Sequence, residues 1–252
     1  MTFSWSELCR LYRLRLTAYT VHIKEEAHVF ARYYKNFRFA QIDLMLRFFY
    51  FFKNPYRISR IFLQKKGEEN VYQYGETPLT TMEAIVKRFG IQKNDGVMEL
   101  GCGRGRVAFW LHAYWGCRVW GVEEVGSFVK EADKIVSWFD LKDVQIVQGD
   151  LLQVEFPKDC QWIYLYGSSW DEEVLRALVK KLENWEGSVI SVSFPISVYD
   201  ATKSFHVVDQ MEAEFLWGTT TVYLAKKKRR EGEEGKGELT AEPQSTQRKR
   251  RE

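Results

Sequence analysis

Cysteine and histidine are scarce in this chain, four of each among 252 residues, and neither is clustered. Cys9, Cys102, Cys117 and Cys160 form no Cys-x-x-Cys pair and have no group of histidines beside them. The sequence therefore offers neither a zinc site nor a disulfide framework, and no metal is expected. That usage fits a reducing, cytoplasmic setting. Long hydrophobic runs are also missing. The most apolar stretch, FAQIDLMLRFFYFF from Phe39 to Phe52, contains Asp43 and Arg47 and falls short of the roughly 20 residues that a membrane span needs. At the N-terminus Arg10, Arg13 and Arg15 interrupt the apolar pattern and no small-residue cleavage site follows, so no secretory signal is expected.

Hydrophobic residues make up 45% of the chain and aromatic residues 15%, enough to bury a large core and exclude wholesale disorder. The net charge of +3 conceals an uneven distribution. Residues 1–68 carry 13 Lys/Arg against 5 Asp/Glu, and residues 226–252 carry 10 against 6, leaving a central segment with 14 basic and 23 acidic residues. An acidic centre argues against a broad nucleic-acid-binding face there.

The chain divides into three parts on pattern. Residues 1–68 form a basic, aromatic-rich helical extension. Apolar positions such as Leu8, Leu11, Leu14 and later Ile42, Met45, Leu46, Phe49 recur at three and four, and turn signals are nearly absent. Two readings of the 39–60 stretch are open: an interfacial helix on an anionic membrane, flanked by Arg38, Arg47, Lys53, Arg57 and Arg60, or a helical cap packed on the main domain. Residues 69–225 alternate strands and amphipathic helices. A helix is expected after YGETP, capped by Thr77 with Pro78 at its first position and Gly90 as its stop. Strands follow at GVMEL, CRVWGVE, VQIVQGD, CQWIYLYG and SVISVSF, with helices between them, and SFHVVDQMEAEFLWGTTTVYLA reads as a hairpin. This order implies an α/β fold, a Rossmann-like, doubly wound and mostly parallel seven-stranded sheet with a terminal antiparallel hairpin. Residues 226–252 lack periodicity and read as a disordered basic tail.

The segment VMELGCGRGR, Val97 to Arg106, carries the chemistry. A strand opens onto Gly101, Cys102, Gly103 and Gly105, where backbone amides lack shielding Cβ atoms and can approach a ligand at the strand's carboxyl end. A dinucleotide loop needs Gly-x-Gly-x-x-Gly, and Arg106 stands where its third glycine would fall. Three segments in order, ELGCGRG, GVEEV and QGDLL, together with the hairpin, resemble the class I, seven-stranded methyltransferases that use S-adenosylmethionine. The resemblance covers roughly residues 70–226. It implies S-adenosylmethionine as cofactor, with Glu99 near the cofactor's amine, Glu123 or the adjacent Glu124 on the ribose hydroxyls, and Asp150 and Leu151 at the adenine.

The strand end from Tyr164 to Trp170 lacks the Asn/Asp-Pro-Pro-aromatic signature of enzymes that methylate planar nitrogens. It also lacks a Pro-Cys pair, so no nucleophile for cytosine C5 methylation is evident. YGETP and VISVSFPIS resemble segments of a small family of protein-lysine methyltransferases, one of which modifies a membrane-embedded subunit of ATP synthase. Tyr-Gly-Glu is also similar to the pre-core loop of histone lysine methyltransferases on this fold. Departures are the missing Arg before Ser-Phe-Pro, and Gly-Glu where the family has Val-Pro. The resemblance implies a protein substrate, with Tyr74, Glu76 and Thr77 closing over the methyl donor and Tyr166 and Ser168 lining a lysine channel. An RNA or small-molecule acceptor, favoured by the basic ends, and a non-catalytic cofactor-binding scaffold remain as alternatives. Oligomeric state is not legible.

Overall fold

The computed structural model describes residues 4–167 and 170–228, with backbone alone for 6–11 and 14–18. Ser168 and the tail beyond Lys228 lie outside the described residues.

Three helices precede the sheet: α1 Trp5–Arg32, α2 Phe37–Phe49 and α3 Pro55–Lys66. Asn36 and Asn54 cap α2 and α3 by accepting from the amides of Phe39 and Arg57. α3 ends at Gly67, whose φ of 83° is a left-handed stop. The inward faces of α1, the turn after it and α2, with Val29, Tyr33, Phe39, Ile42 and Leu46, enter one apolar cluster with Leu79, Ile85, Phe109, Trp110 and Phe128 from further along the chain. The Phe39–Phe52 stretch is therefore two-sided. Its inner face is core, while Leu44, Phe48, Phe51 and Phe52 are exposed.

α4 Leu79–Phe89 leads into the sheet. Thr77 does not cap it: Pro78 holds the cap position, and the Thr77 hydroxyl instead meets the Tyr164 hydroxyl at 2.6 Å. The cap comes from α1. Glu25 accepts from the Leu79 amide at 2.7 Å and from the Thr80 hydroxyl at 2.5 Å, supplying negative charge at a helix N-terminus from a segment distant in sequence.

The sheet contains β1 Gly96–Leu100, β2 Arg118–Glu123, β3 Val144–Gln148, β4 Trp162–Leu165, β5 Ser188–Val192, β6 Phe205–Phe215 and β7 Gly218–Lys227. Between them lie α5 Arg106–Trp110, α6 Gly126–Trp138 and α7 Glu172–Leu182. The strand order is β3-β2-β1-β4-β5-β7-β6, parallel through β5, with β7 antiparallel to both its neighbours. This is the Rossmann-like seven-stranded arrangement with a terminal hairpin. β1, β4 and β5 are buried along their whole length, as expected for strands covered on both faces. α5 loosens into a π-helical turn at Leu111–Trp115 and stops at Gly116. The hairpin runs further than its apolar pattern: Lys226 and Lys227 pair within β7, so the tail does not begin at 226.

The connection from β1 passes to β2, while β4 lies on β1's other side. At such a reversal the carboxyl ends of neighbouring strands leave a crevice between diverging loops.

Candidate active site at the carboxyl ends of β1, β2 and β4

Leu100 ends β1, and the next five residues hold three glycines with positive φ: Gly101 at 76°, Gly103 at 55° and Gly105 at 78°. The surroundings are tight at two of them. A Cβ on Gly101 would lie 3.2 Å from the Trp170 ring, and one on Gly103 3.1 Å from the Tyr74 ring. The loop is tied to β2, because the amides of Gly101 and Cys102 both donate to the Val122 carbonyl, at 2.9 and 3.0 Å.

Glu123, the last residue of β2, closes the same junction. One carboxylate oxygen accepts from the Gly103 amide and the other from the Val125 amide, each at 2.8 Å. Burial raises its pKa, and these amides oppose the rise. Glu124, also at the crevice wall, pairs with Lys66 of α3 at 2.8 Å. A crevice of about 760 Å³, its open mouth included, runs between these groups. Its walls include Leu63, Tyr74, Gly101, Gly103, Glu123, Glu124, Leu151, Tyr166 and Trp170.

Glu99 lies beneath the loop, 6% exposed, and its Oε2 has no hydrogen-bond partner. Burial pushes its carboxyl well above the usual range, the nearby Glu123 charge adds to this, and the Ala108 amide works against it. A buried carboxylate left half-satisfied is costly unless a cationic donor completes it. An ammonium group at the glycine loop is such a donor, whereas a pyrophosphate would add repulsion. Arg106, the residue that breaks the dinucleotide spacing, turns to α2 and grips Asp43 through Nε at 2.9 Å and Nη2 at 3.2 Å. Asp43 also accepts from Arg47 and from the Tyr34 hydroxyl, both at 2.8 Å. Burial alone would raise the Asp43 pKa, but the charges and hydrogen bonds of Arg106 and Arg47 together outweigh it and hold the group down to about 2.

The pre-core segment lies across the loop as a strap. The Tyr74 hydroxyl donates to Glu76 at 2.5 Å, and Arg104 forks onto the two Glu76 oxygens at 2.6 Å each. Burial works against ionisation of Glu76, yet Arg104 more than compensates and its pKa is lowered. Arg104 also stacks over the Tyr50 ring, 4.9 Å from its centroid. A Cβ on Gly75 would fall 2.9 Å from the Tyr166 ring, so the glycine allows strap and β4 end to touch. The Tyr166 hydroxyl accepts from the Trp217 indole at the hairpin turn, and its ring lies 5.3 Å from Phe215.

The structure thus gathers Tyr74, Glu76, Thr77, Glu99, Gly101, Gly103, Glu123, Glu124, Leu151 and Tyr166 around one crevice and its floor, while Gly105 turns the loop into α5. Two residues stand apart. The Cys102 side chain packs down against β2, where its sulfur would lie 2.7 Å from a Cβ on Gly121, so only its backbone belongs to the loop. Asp150 is exposed on the rim and accepts from the Leu152 amide at 2.8 Å. Sequence reasoning missed Arg104, whose position inside the glycine loop was the available signal. It also missed Trp170 as a crevice wall and Lys181, whose ammonium donates to the carbonyls of Leu151, Leu152 and Val154 and so fixes the loop after β3.

Comparison with known proteins agrees with this geometry. A family model described as a methyltransferase domain matches residues 97–185. A protein of Papaver bracteatum, "Probable (S)-tetrahydroprotoberberine N-methyltransferase 2", is 27% identical over 108 residues, 41% of this chain and 29% of its own length. Among solved structures, TrmN from Thermus thermophilus superposes with a TM-score of 0.50 at 12% identity, over 57% of this chain and 47% of its own. An RNA methyltransferase from Salinibacter ruber in complex with S-adenosyl-L-homocysteine gives a TM-score of 0.50 at 21% identity, over 62% of this chain and 97% of its own. The chain therefore spans less than a third of the Papaver relative and about half of the Thermus protein. Residues 97–185 match the methyltransferase-domain model, and the seven-stranded sheet that carries them has the class I methyltransferase fold.

Proposed function

We propose that this chain is an S-adenosylmethionine-dependent methyltransferase whose acceptor is a nitrogen of a protein, a lysine amine. The observation that carries the cofactor assignment is the unpartnered Oε2 of buried Glu99 beneath three positive-φ glycines. When bound, the cofactor supplies a methyl group activated on a sulfonium sulfur.

In this reading Glu99 receives the cofactor's ammonium group, usually through water in such loops, and Glu123 takes the ribose hydroxyls. Leu151, held by Lys181 through the loop backbone, flanks the adenine, with Asp150 at the rim. Tyr74, Glu76 and Thr77 close the other side. Arg104 keeps Glu76 ionised, so Glu76 serves as the strap's anchor, and Tyr166 lines the acceptor channel. No covalent intermediate is needed. The chain's own work is to align donor and acceptor and to exclude water, effects that together are worth several kcal/mol.

The lysine acceptor rests on the strap YGETP, which meets Tyr166 through Gly75, and on the family resemblance of that strap and of VISVSFPIS. An RNA or small-molecule nitrogen is the second reading. It is supported by the basic clusters at 226–230 and 248–251 and by relatives named as an RNA methyltransferase and a probable tetrahydroprotoberberine N-methyltransferase.

Calorimetry with S-adenosylmethionine, S-adenosylhomocysteine and NAD, repeated on Gly101→Arg, tests the cofactor. Binding restricted to the first two ligands and lost in the variant is expected. Absence of binding makes the protein a scaffold on a methyltransferase fold. Labelled S-adenosylmethionine with cell lysate tests the acceptor: label lost on protease treatment supports protein, label lost on ribonuclease treatment supports RNA, and label in the filtrate supports a small molecule.

A further inference from the structure

Helix α1 carries a stripe that nothing among the described residues covers. Trp5, Tyr12, Tyr19, Ile23 and Phe30 are separated by seven, seven, four and seven residues, which places them on one helical face. Their exposures run from 84% at Trp5 to 49% at Ile23 and Phe30. Helix α2 has a matching outer stripe, Phe37, Leu44 and Phe48, and the turn after it adds Phe51 and Phe52 at 75% and 93% exposure. Arg47 of α2 lies over the Phe30 ring, 5.3 Å from its centroid, so the two stripes adjoin. Single exposed apolar residues are ordinary; paired aromatic stripes along two neighbouring helices are not.

The charge of these helices is equally one-sided. Of the five acids in residues 1–68, three turn into the molecule: Glu25 accepts from the Leu79 amide, while Glu26 and Asp43 hold Arg106. They are consumed in holding the fold together. Lys35 and Arg38, which flank Phe37 in the chain, and Arg57 and Lys65 of the following helix remain exposed. Among the described residues no helix is long and apolar enough to cross a membrane.

We propose that the outer face of α1, α2 and the turn at Phe51–Phe52 binds peripherally to the surface of an anionic lipid bilayer. Aromatic rings would enter the interfacial layer and the surrounding lysines and arginines would face phosphate headgroups, the two attractions that together give stable interfacial binding. The inward-turned acids give the face its complementarity to anionic lipid, since aromatic area alone would fit any apolar partner.

The test is flotation of the full chain with vesicles of phosphatidylcholine alone or mixed with phosphatidylglycerol. A double variant Phe51→Ser/Phe52→Ser and a charge variant Lys35→Glu/Arg57→Glu are run in parallel. The expected result is binding to the anionic vesicles alone, weakened about tenfold in the aromatic variant and by a similar factor in the charge variant. All these side chains are exposed, and an unchanged melting temperature shows that each variant is folded. Undiminished flotation of the aromatic variant overturns the proposal, because the basic tail alone then carries the attraction. Equal binding to both vesicle types overturns it too. So does a concentration-dependent dimer that the aromatic variant abolishes without any vesicle binding, which assigns the face to a second copy of the chain.

Discussion

The carboxylate of Glu25 sits 2.7 Å from the backbone amide of Leu79, so that one helix of the N-terminal extension caps the helix that leads into the sheet. Glu25 is 7% exposed and also takes the Thr80 hydroxyl. Replacing it with Ala leaves the first amides of α4 buried without an acceptor, at a cost of about 1–2 kcal/mol. Thr77→Ala, the substitution that local sequence marks as the cap change, removes only the contact to Tyr164 and costs about 1 kcal/mol. Thermal melts of the two variants should rank them in that order.

Asp43 ties α2 to the start of α5 through Arg106, with its side chain fully buried. Its pKa is about 2 in the fold against an ordinary 3.8, so the pair adds stability above the unfolded value and loses it as pH falls through the folded one. The window is therefore between about pH 4 and pH 2, and the contribution at neutral pH is about 2 kcal/mol. Urea midpoints measured across that window should fall steeply in the parent. Asp43→Asn, which strands Arg106, should lose about 3–5 kcal/mol at pH 7 and show a flatter profile.

Glu99 has the opposite sign. Its folded pKa is raised, so its effect on stability is most favourable below the unfolded value and is lost as pH rises through the folded one. Glu99→Gln should accordingly raise the melting temperature of the ligand-free protein at pH 7. It should also weaken S-adenosylmethionine by about tenfold or more, through loss of a charge-assisted partner. A variant that gains stability and keeps full affinity would remove Glu99 from the proposed cofactor site.

Glu123 and Glu124 are adjacent in sequence and separable by experiment. Glu123→Ala frees the amides of Gly103 and Val125 and should lower cofactor affinity tenfold to a hundredfold, about 1.5–3 kcal/mol for charged hydrogen bonds. Glu124→Ala removes an exposed pair with Lys66, worth about 0–1 kcal/mol, and should leave affinity within about threefold. Calorimetry on both variants distinguishes the two, and a larger loss at Glu124 transfers the ribose contact to it.

The strands and the glycine loop were legible because their signals are local. β1, β4 and β5 are short apolar runs, and glycines at 101, 103 and 105 mark a backbone that only they adopt readily. The Thr77 cap failed because a hydroxyl beside a proline satisfies the local rule while the actual acceptor, Glu25, stands 54 residues before the Leu79 amide it takes. The Asp43–Arg106 and Arg104–Glu76 pairs were hidden for the same reason, joining residues 63 and 28 apart. No periodicity encodes which carboxylate a buried guanidinium will meet. Asp150 was placed by family spacing, which marks a strand end without fixing which way its side chain turns, and here it turns to its own backbone.

The tie that Glu26 and Asp43 make to Arg106 also orders events during synthesis. Glu26 has left the peptidyl transferase centre long before Arg106 is added, and at about 5–20 residues per second the wait is about 4–16 seconds. Throughout that interval Glu26 and Asp43 lack Arg106, and α1 and α2 lack the aromatic floor of Phe109 and Trp110. The nascent extension must therefore be kept from premature association while the ribosome completes the segment that will receive it.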